Sequence, residues 1–216
     1  MNLLFDLDGT LADPLEAFSG GMDFAFDSLK VPRLSREVLR SLIGPPLHLE
    51  LPKLLGPKHA GLATDVMRLY REHHGVTGIF QYKFYEGVDA ALTAVSSGNR
   101  LFVATSKPKV YADIILKHFG KAHFFEFIHG SELSGVNAVK GDLIRYAVKK
   151  HSLRATDTVM IGDRKHDVLG AKENGIPTIG VLWGYGSVEE FQQAGASLMV
   201  RSWDELVRTI GEKKNG

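Results

Sequence analysis

The chain has 216 residues, 44% of them apolar, which is enough for one large domain or for a core domain carrying a smaller insert. Its formal net charge of +1, with acids and bases interspersed, leaves no basic field of the kind that holds a nucleic acid polymer. Cysteine is absent, so disulfides, thiolate metal sites and a cysteine nucleophile are excluded together, and any metal must rest on oxygen or imidazole.

Leu3-Leu4-Phe5 is a strand-length apolar run that ends in Asp6 and Asp8, followed by Gly9 and Thr10. It is too short for a signal-peptide core, and no stretch approaches the roughly 18 apolar residues of a membrane span. A soluble, cytoplasmic protein without a membrane partner is expected. Helical patterns follow over Leu15 to Leu29, Ser35 to Leu42, Leu47 to Leu55 and Lys58 to His74, broken at Val31-Pro32, Gly44-Pro45-Pro46 and Gly56-Pro57. Gly87 to Ser97 reads as a crossover helix. Strands are expected at Leu101 to Ala104, Phe125 to Ile128, Val159 to Ile161, Thr178 to Leu182 and Leu198 to Val200. Between and after them, helices are expected over Pro108 to Phe119, Gly141 to Lys150, His166 to Asn174 and Trp203 to Ile210.

Short strands rich in β-branched and aromatic residues, separated by amphipathic helices, indicate an α/β fold with a parallel, Rossmann-like sheet. A crossover needs about a dozen residues, yet Asp8 and Leu101 stand several times further apart. The expected division is therefore a catalytic core of residues 1–12 and 82–216, with a helical domain inserted over residues 13–81.

Ligands of open α/β sheets bind outside the carboxyl ends of the strands. Asp6 and Asp8 stand there after the first strand, Thr105 and Ser106 after the second, and Asp163 and Asp167 after the strand that ends in "IGDRKHD". Lys140 opens the helix in "NAVKGDLI". Several carboxylates converging on one point repel one another unless a hard divalent cation sits among them, and all-oxygen ligation favours Mg²⁺. Asp6 and Asp163 are the expected ligands. A lysine and hydroxyls to neutralise phosphate oxygens, with Gly9 permitting close backbone approach, point to phosphoryl transfer.

The motifs "DLDGTLAD" (Asp6 to Asp13), "VATSKP" (Val103 to Pro108), Lys140 and "IGDRKHD" (Ile161 to Asp167) resemble the haloacid dehalogenase superfamily, close to its phosphoglycolate phosphatase-like branch. "IGPPL" at Ile43 to Leu47, "YREHH" at Tyr70 to His74 and "FYEGV" at Phe84 to Val88 resemble that branch's cap and cap exit. The resemblance implies a Mg²⁺-dependent phosphatase acting on a small phosphorylated metabolite. Asp6 would form an aspartyl-phosphate, and Asp8 would serve the leaving group and then the water while turning its backbone carbonyl to the metal. Thr105 would bond the phosphate, Lys140 would balance charge on Asp6 and the phosphoryl group, Asp163 would complete the metal site, and Asp167 would orient Lys140 or a metal-bound water. One departure is visible, since Asp13 is followed by Pro14 where the family has serine, which puts a local hydrogen bond in question.

Phosphoglycolate is the first substrate expected, nucleoside monophosphates the second, with a sugar phosphomutase and a non-catalytic phospholigand-binding protein as rivals. Arg40, His48, Arg71, Lys107 and Lys109 are the cations available for a second anionic group on the substrate, with a surface role the alternative for each. The nine histidines form no HExxH motif and read as surface or hydrogen-bonded residues. A calcium loop beginning at Asp6 fails, because Leu11 and Ala17 stand where glycine and glutamate are required. GxSxG and GxGxxG are absent. A monomer or homodimer is expected.

Overall fold

The computed structural model describes residues 1–45 and 47–215. Six strands form one sheet: β1 (Asn2–Phe5), β4 (Arg100–Pro108), β5 (Phe127–Ser131), β6 (Thr158–Gly162), β7 (Thr178–Val181) and β8 (Leu198–Val200). Their order is β5-β4-β1-β6-β7-β8, and every pairing is parallel. The chain runs outward from β1 through β4 to β5, then returns across β1 to β6. The order reverses around β1, so a crevice opens above the carboxyl ends of β4, β1 and β6.

Alternation along β1 feeds two cores. Leu3 and Phe5 pack with Val103, Ile115, Ile161 and Leu206 on one face, and Leu4 packs with Phe102, Leu143 and Met160 on the other. The first face is covered by α5 (Val88–Ser96), α6 (Lys109–His118) and α10 (Trp203–Asn215). The second is covered by α7 (Lys140–Lys150) and α8 (Lys165–Lys172). With both faces covered, near-continuous apolar strands are what burial requires.

Between β1 and β4 lies a helical unit: α1 (Leu15–Leu29), α2 (Arg36–Ser41), α3 (Leu47–His59) and α4 (Ala63–Val76). It has its own core, built from Phe18, Met22, Phe26, Leu39, Leu51, Val66 and Tyr70. The expected helix over Lys58 to His74 begins only at Ala63. Gly56 leaves helical geometry at φ 67°, and a single 3₁₀ turn over Ala60–Leu62 intervenes. Of the Gly44-Pro45-Pro46 break, Pro46 lies outside the described residues.

Two elements escaped the pattern reading. A short antiparallel ribbon, β2 (Ala12–Asp13) with β3 (Lys83–Phe84), joins the chain where it enters and leaves the helical unit. Two-residue strands carry no periodicity. The helix α9 (Val188–Ala194) did carry a signal: Ser187 accepts from Glu190 N at 3.1 Å, and Gly195 ends the helix in the left-handed region at φ 82°. The strand expected at Phe125 to Ile128 is displaced to Phe127–Ser131, because pairing with β4 sets its register and Phe125 turns instead against Phe5.

Candidate active site

The turn after β1 is built by backbone bonds that end on Leu7 O and Ala12 O rather than on Asp8 O. Asp6 Oδ1 accepts from Leu7 N at 2.7 Å, and its Oδ2 lies 2.9 Å from Lys140 Nζ. Lys140 is the first residue of α7. Its buried ammonium also reaches Asp167 at 2.7 Å and donates to Ala104 O at 3.0 Å. Burial opposes its charge, but Asp167 and Asp6 outweigh burial and hold the ammonium above its ordinary value.

Asp163 closes the cluster from the end of β6. It is fully buried, accepts from Thr10 Oγ1 at 3.3 Å and from Tyr185 N at 2.9 Å, and has no cationic side chain bonded to it among the described residues. Burial, then the neighbouring Asp167 and Asp6 charges, push its carboxyl well above the usual carboxylate range. Asp6, Asp163 and Asp167 each offer an oxygen within 4.8 Å of the others. Asp167 Oδ2 accepts from Arg164 N at 3.1 Å, and its Oδ1 lies 2.7 Å from Lys140 Nζ as an ion pair without hydrogen-bond geometry. One lysine against three buried acids leaves negative charge uncompensated, which is the condition a divalent cation satisfies.

Gly9 occupies the left-handed region at φ 80°, and its N–H donates to Ala12 O at 2.8 Å, so that amide is not held free for a phosphate. The glycine is required for another reason. A Cβ there would fall 2.1 Å from an Asp163 carboxylate oxygen, so any side chain would displace the acid.

Thr105 and Ser106 do not follow the second strand but lie within it. The pairing of β4 with β5 becomes irregular between Thr105 and Pro108, which carries both residues into the cavity wall. Thr105 is buried, and its hydroxyl accepts from Lys107 N at 3.3 Å.

Among the five cations proposed for a second anionic group, the surface alternative fails at Lys107. Its Nζ lies 2.9 Å from Asp8 Oδ2, its side chain is 6% exposed, and it stands 5.1 Å from the Tyr82 ring centre. Asp8 is raised above its ordinary value by burial against the opposing Lys107 charge, and its Oδ1 is buried without a partner. Tyr82, which faces Asp8, carried no signal in the sequence; Lys107 did, standing two residues after Thr105 in "TSKP". Arg40 stacks 4.5 Å above the Tyr185 ring, and Lys109 pairs with Asp113 at 2.6 Å. His48 and Arg71 line the cavity, and Arg71 has no ion-pair partner among the described residues. The Pro14 departure is compensated locally, since Asp13 Oδ1 accepts from Leu15 N at 2.9 Å and from the Tyr185 hydroxyl.

The cavity above the acids has an empty volume of about 900 Å³ including its mouth. Asp6, Asp8, Thr105 and Ser106 lie in its wall on the sheet side. Phe18, Leu42, Ile43, Met67 and Tyr70 line the opposite side.

A model of the haloacid dehalogenase-like hydrolase family matches residues 3–181. The chain belongs to that family. Within it, its enzyme class is phosphoric monoester hydrolase. The chain is 41% identical over 192 residues to a 5'-nucleotidase of Pseudomonas aeruginosa, covering 88% of this chain and 86% of that one. It is 31% identical over 212 residues to the tyrosine-protein kinase PtkA of Mycobacterium tuberculosis, covering 97% and 72%. It is 25% identical over 216 residues to a phosphoglycolate phosphatase of Colwellia psychrerythraea, covering 96% of both. Among solved structures, a predicted phosphatase from Clostridium acetobutylicum superposes with a TM-score of 0.92 at 39% identity, covering 98% of both chains. No helix among the described residues is long and apolar enough to cross a membrane.

Proposed function

We propose that this hydrolase removes the phosphate from nucleoside 5'-monophosphates, with Asp6 as nucleophile and the helical unit as a cap over the leaving group. The observation that carries the substrate reading is the cavity wall opposite the acids. Phe18, Leu42, Ile43, Met67 and Tyr70 offer a broad apolar surface to whatever the phosphate is attached to. Such a surface suits a sugar and a planar base and is poorly used by a two-carbon acid. The 41% identity to a 5'-nucleotidase supports the same choice. Phosphoglycolate is the second reading, favoured by His48 and Arg71 in the wall, where a carboxylate could meet a cation.

Asp6 attacks phosphorus and the ester oxygen departs with the proton of Asp8, leaving an aspartyl-phosphate. Asp8, now ionised, takes a proton from water, whose oxygen attacks phosphorus, releasing inorganic phosphate and restoring Asp6. Burial favours the protonated Asp8 that the first step needs. Lys107 holds the Asp8 carboxylate in place, and Lys140 balances the charge on Asp6. Thr105 supplies a hydroxyl to the phosphate from the irregular stretch within β4.

The uncompensated acids fit Mg²⁺. Asp6, Asp163 and the Asp8 carbonyl would hold it, with Asp167 fixing Lys140 beside them. Bound there, it would offset the negative charge of the phosphoryl oxygens.

The test is a phosphate-release panel at fixed Mg²⁺, scored by kcat/KM. The reading expects nucleoside 5'-monophosphates to exceed 2-phosphoglycolate by about tenfold or more, the discrimination that burying a few extra apolar groups supplies. Preference for phosphoglycolate overturns the substrate assignment. Full turnover in excess EDTA overturns the cation.

A further inference from the structure

We propose that Arg164 is a positioning residue, the clasp that holds the loop Leu42–Pro45 down on the core and so fixes the far wall of the leaving-group cavity. Arg164 follows Asp163 directly and is the N-cap residue of α8, so its backbone is anchored in the acid cluster. Its side chain leaves the core. One guanidinium nitrogen donates to Ile43 O, 121 residues away in sequence and at the end of the helical unit's second helix. The Nε donates to Glu190 Oε1 at 3.0 Å, and the same oxygen accepts from Lys165 N at 2.7 Å.

Three features make this a built contact rather than a surface accident. The Arg164 and Glu190 side chains are only 13% and 20% exposed, so the pair is largely desolvated. Glu190 stands three residues after the Ser187 cap, where a glutamate ordinarily turns back to its own helix start, yet here it is spent on Arg164 and Lys165 N. Gly44 adopts φ 105°, and a Cβ there would lie 2.9 Å from Arg164 Cγ, so the loop backbone lies against the arginine stem. A second tie runs nearby: Tyr185, whose N–H bonds Asp163, gives its hydroxyl to Asp13 and its ring face to Arg40 of the helical unit. Both neighbours of Asp163 therefore reach toward the helices.

Leu42, Ile43, Gly44 and Pro45 all line the cavity, so a loop released from Arg164 loosens the wall a bulky leaving group rests on and leaves the phosphate end untouched. This rests on the reading of that cavity as the leaving-group pocket.

Two readouts test it. Amide hydrogen exchange over residues 36–45 is compared in wild type, Arg164→Met, Arg164→Lys and Glu190→Gln, and kcat and KM are measured for a nucleoside 5'-monophosphate and for acetyl phosphate. Arg164→Met should speed exchange in the loop, and raise KM for the nucleotide, by about tenfold or more, as expected for loss of one charge-assisted hydrogen bond. Acetyl phosphate, too small to reach the loop, should change less than about threefold. Arg164→Lys should recover part of the loss, and Glu190→Gln should fall between. Unchanged loop exchange in Arg164→Met, or equal loss on both substrates, overturns the clasp. A wild type that ignores nucleotides overturns the substrate reading instead, while the exchange comparison still decides the clasp.

Discussion

The acid cluster and the helical unit above it use charge in opposite ways. Around the cluster, Lys140, Asp6 and Asp167 are at most 7% exposed at their side chains, and each ion pair joins residues distant in sequence. In the helical unit, the pairs Arg36–Glu16, Lys53–Glu50 and Arg68–Glu72 are all more than a third exposed, and two of the three are neighbours on one helix. Buried charges are costly unless matched, so they are held where the backbone is most rigid, at strand ends and a helix start. Exposed pairs contribute little and can move with their helices. The division suits an enzyme whose reacting groups must keep their places.

The largest effect should come from the reacting group itself. Asp6→Asn is expected to lower kcat by a factor on the order of 10⁴ or more while the circular dichroism spectrum stays native; a folded variant with appreciable turnover would remove Asp6 as nucleophile. Next, Lys140→Met leaves Asp6 and Asp167 buried without their cation and should cost about 3–5 kcal/mol of unfolding free energy in a urea titration. A loss below 1 kcal/mol would show that the cluster's charges are not matched as the geometry implies.

A third test uses acid. Burial lowers His129 in the sheet to about 4, and lowers His74, where α4 meets the core, to about 2. Both stay neutral in the folded protein while the unfolded chain takes up protons from about pH 6.5 downward. The unfolded state then binds more protons, so stability falls as pH drops. The His129 contribution is lost between about pH 6.5 and 4, and that of His74 continues to fall below pH 4, at up to about 1.4 kcal/mol per pH unit for each. His74→Phe should flatten the stability–pH slope measured by urea denaturation; an unchanged slope would show that His74 takes up its proton in the folded state. The smallest effect belongs to the exposed helical pairs, where Arg68→Ala should change stability by less than about 1 kcal/mol.

His74 also marks a boundary of pattern reading. It was expected at the surface or hydrogen-bonded, yet it is buried among Tyr70, Tyr82 and Tyr111 with neither ring nitrogen bonded. Nothing local distinguishes it from His73, because its surroundings come from three separate segments. Lys107 differs, since its place in "TSKP" made it an available cation, and only the fold shows that its partner is Asp8.

What the amino-acid order determined by itself was whatever depends on near neighbours. Apolar runs of strand length, the helix intervals and the acids placed at strand ends follow from periodicity and turn chemistry, which act over a few residues. Hence the sheet, the inserted helices and the placing of Asp6, Asp8, Asp163 and Asp167 after strands and of Lys140 at a helix start were legible, whereas Thr105, expected after its strand, lies within it. Tertiary structure alone decided the partners. The Asp8–Lys107 pair, the reach of Arg164 to Ile43, the pairing of Lys140 with both Asp6 and Asp167 and the need for glycine at position 9 all arise where distant segments are packed against one another. Side-chain charge and shape are written locally, but whether a charge is buried, matched or left for a ligand depends on what the fold brings against it.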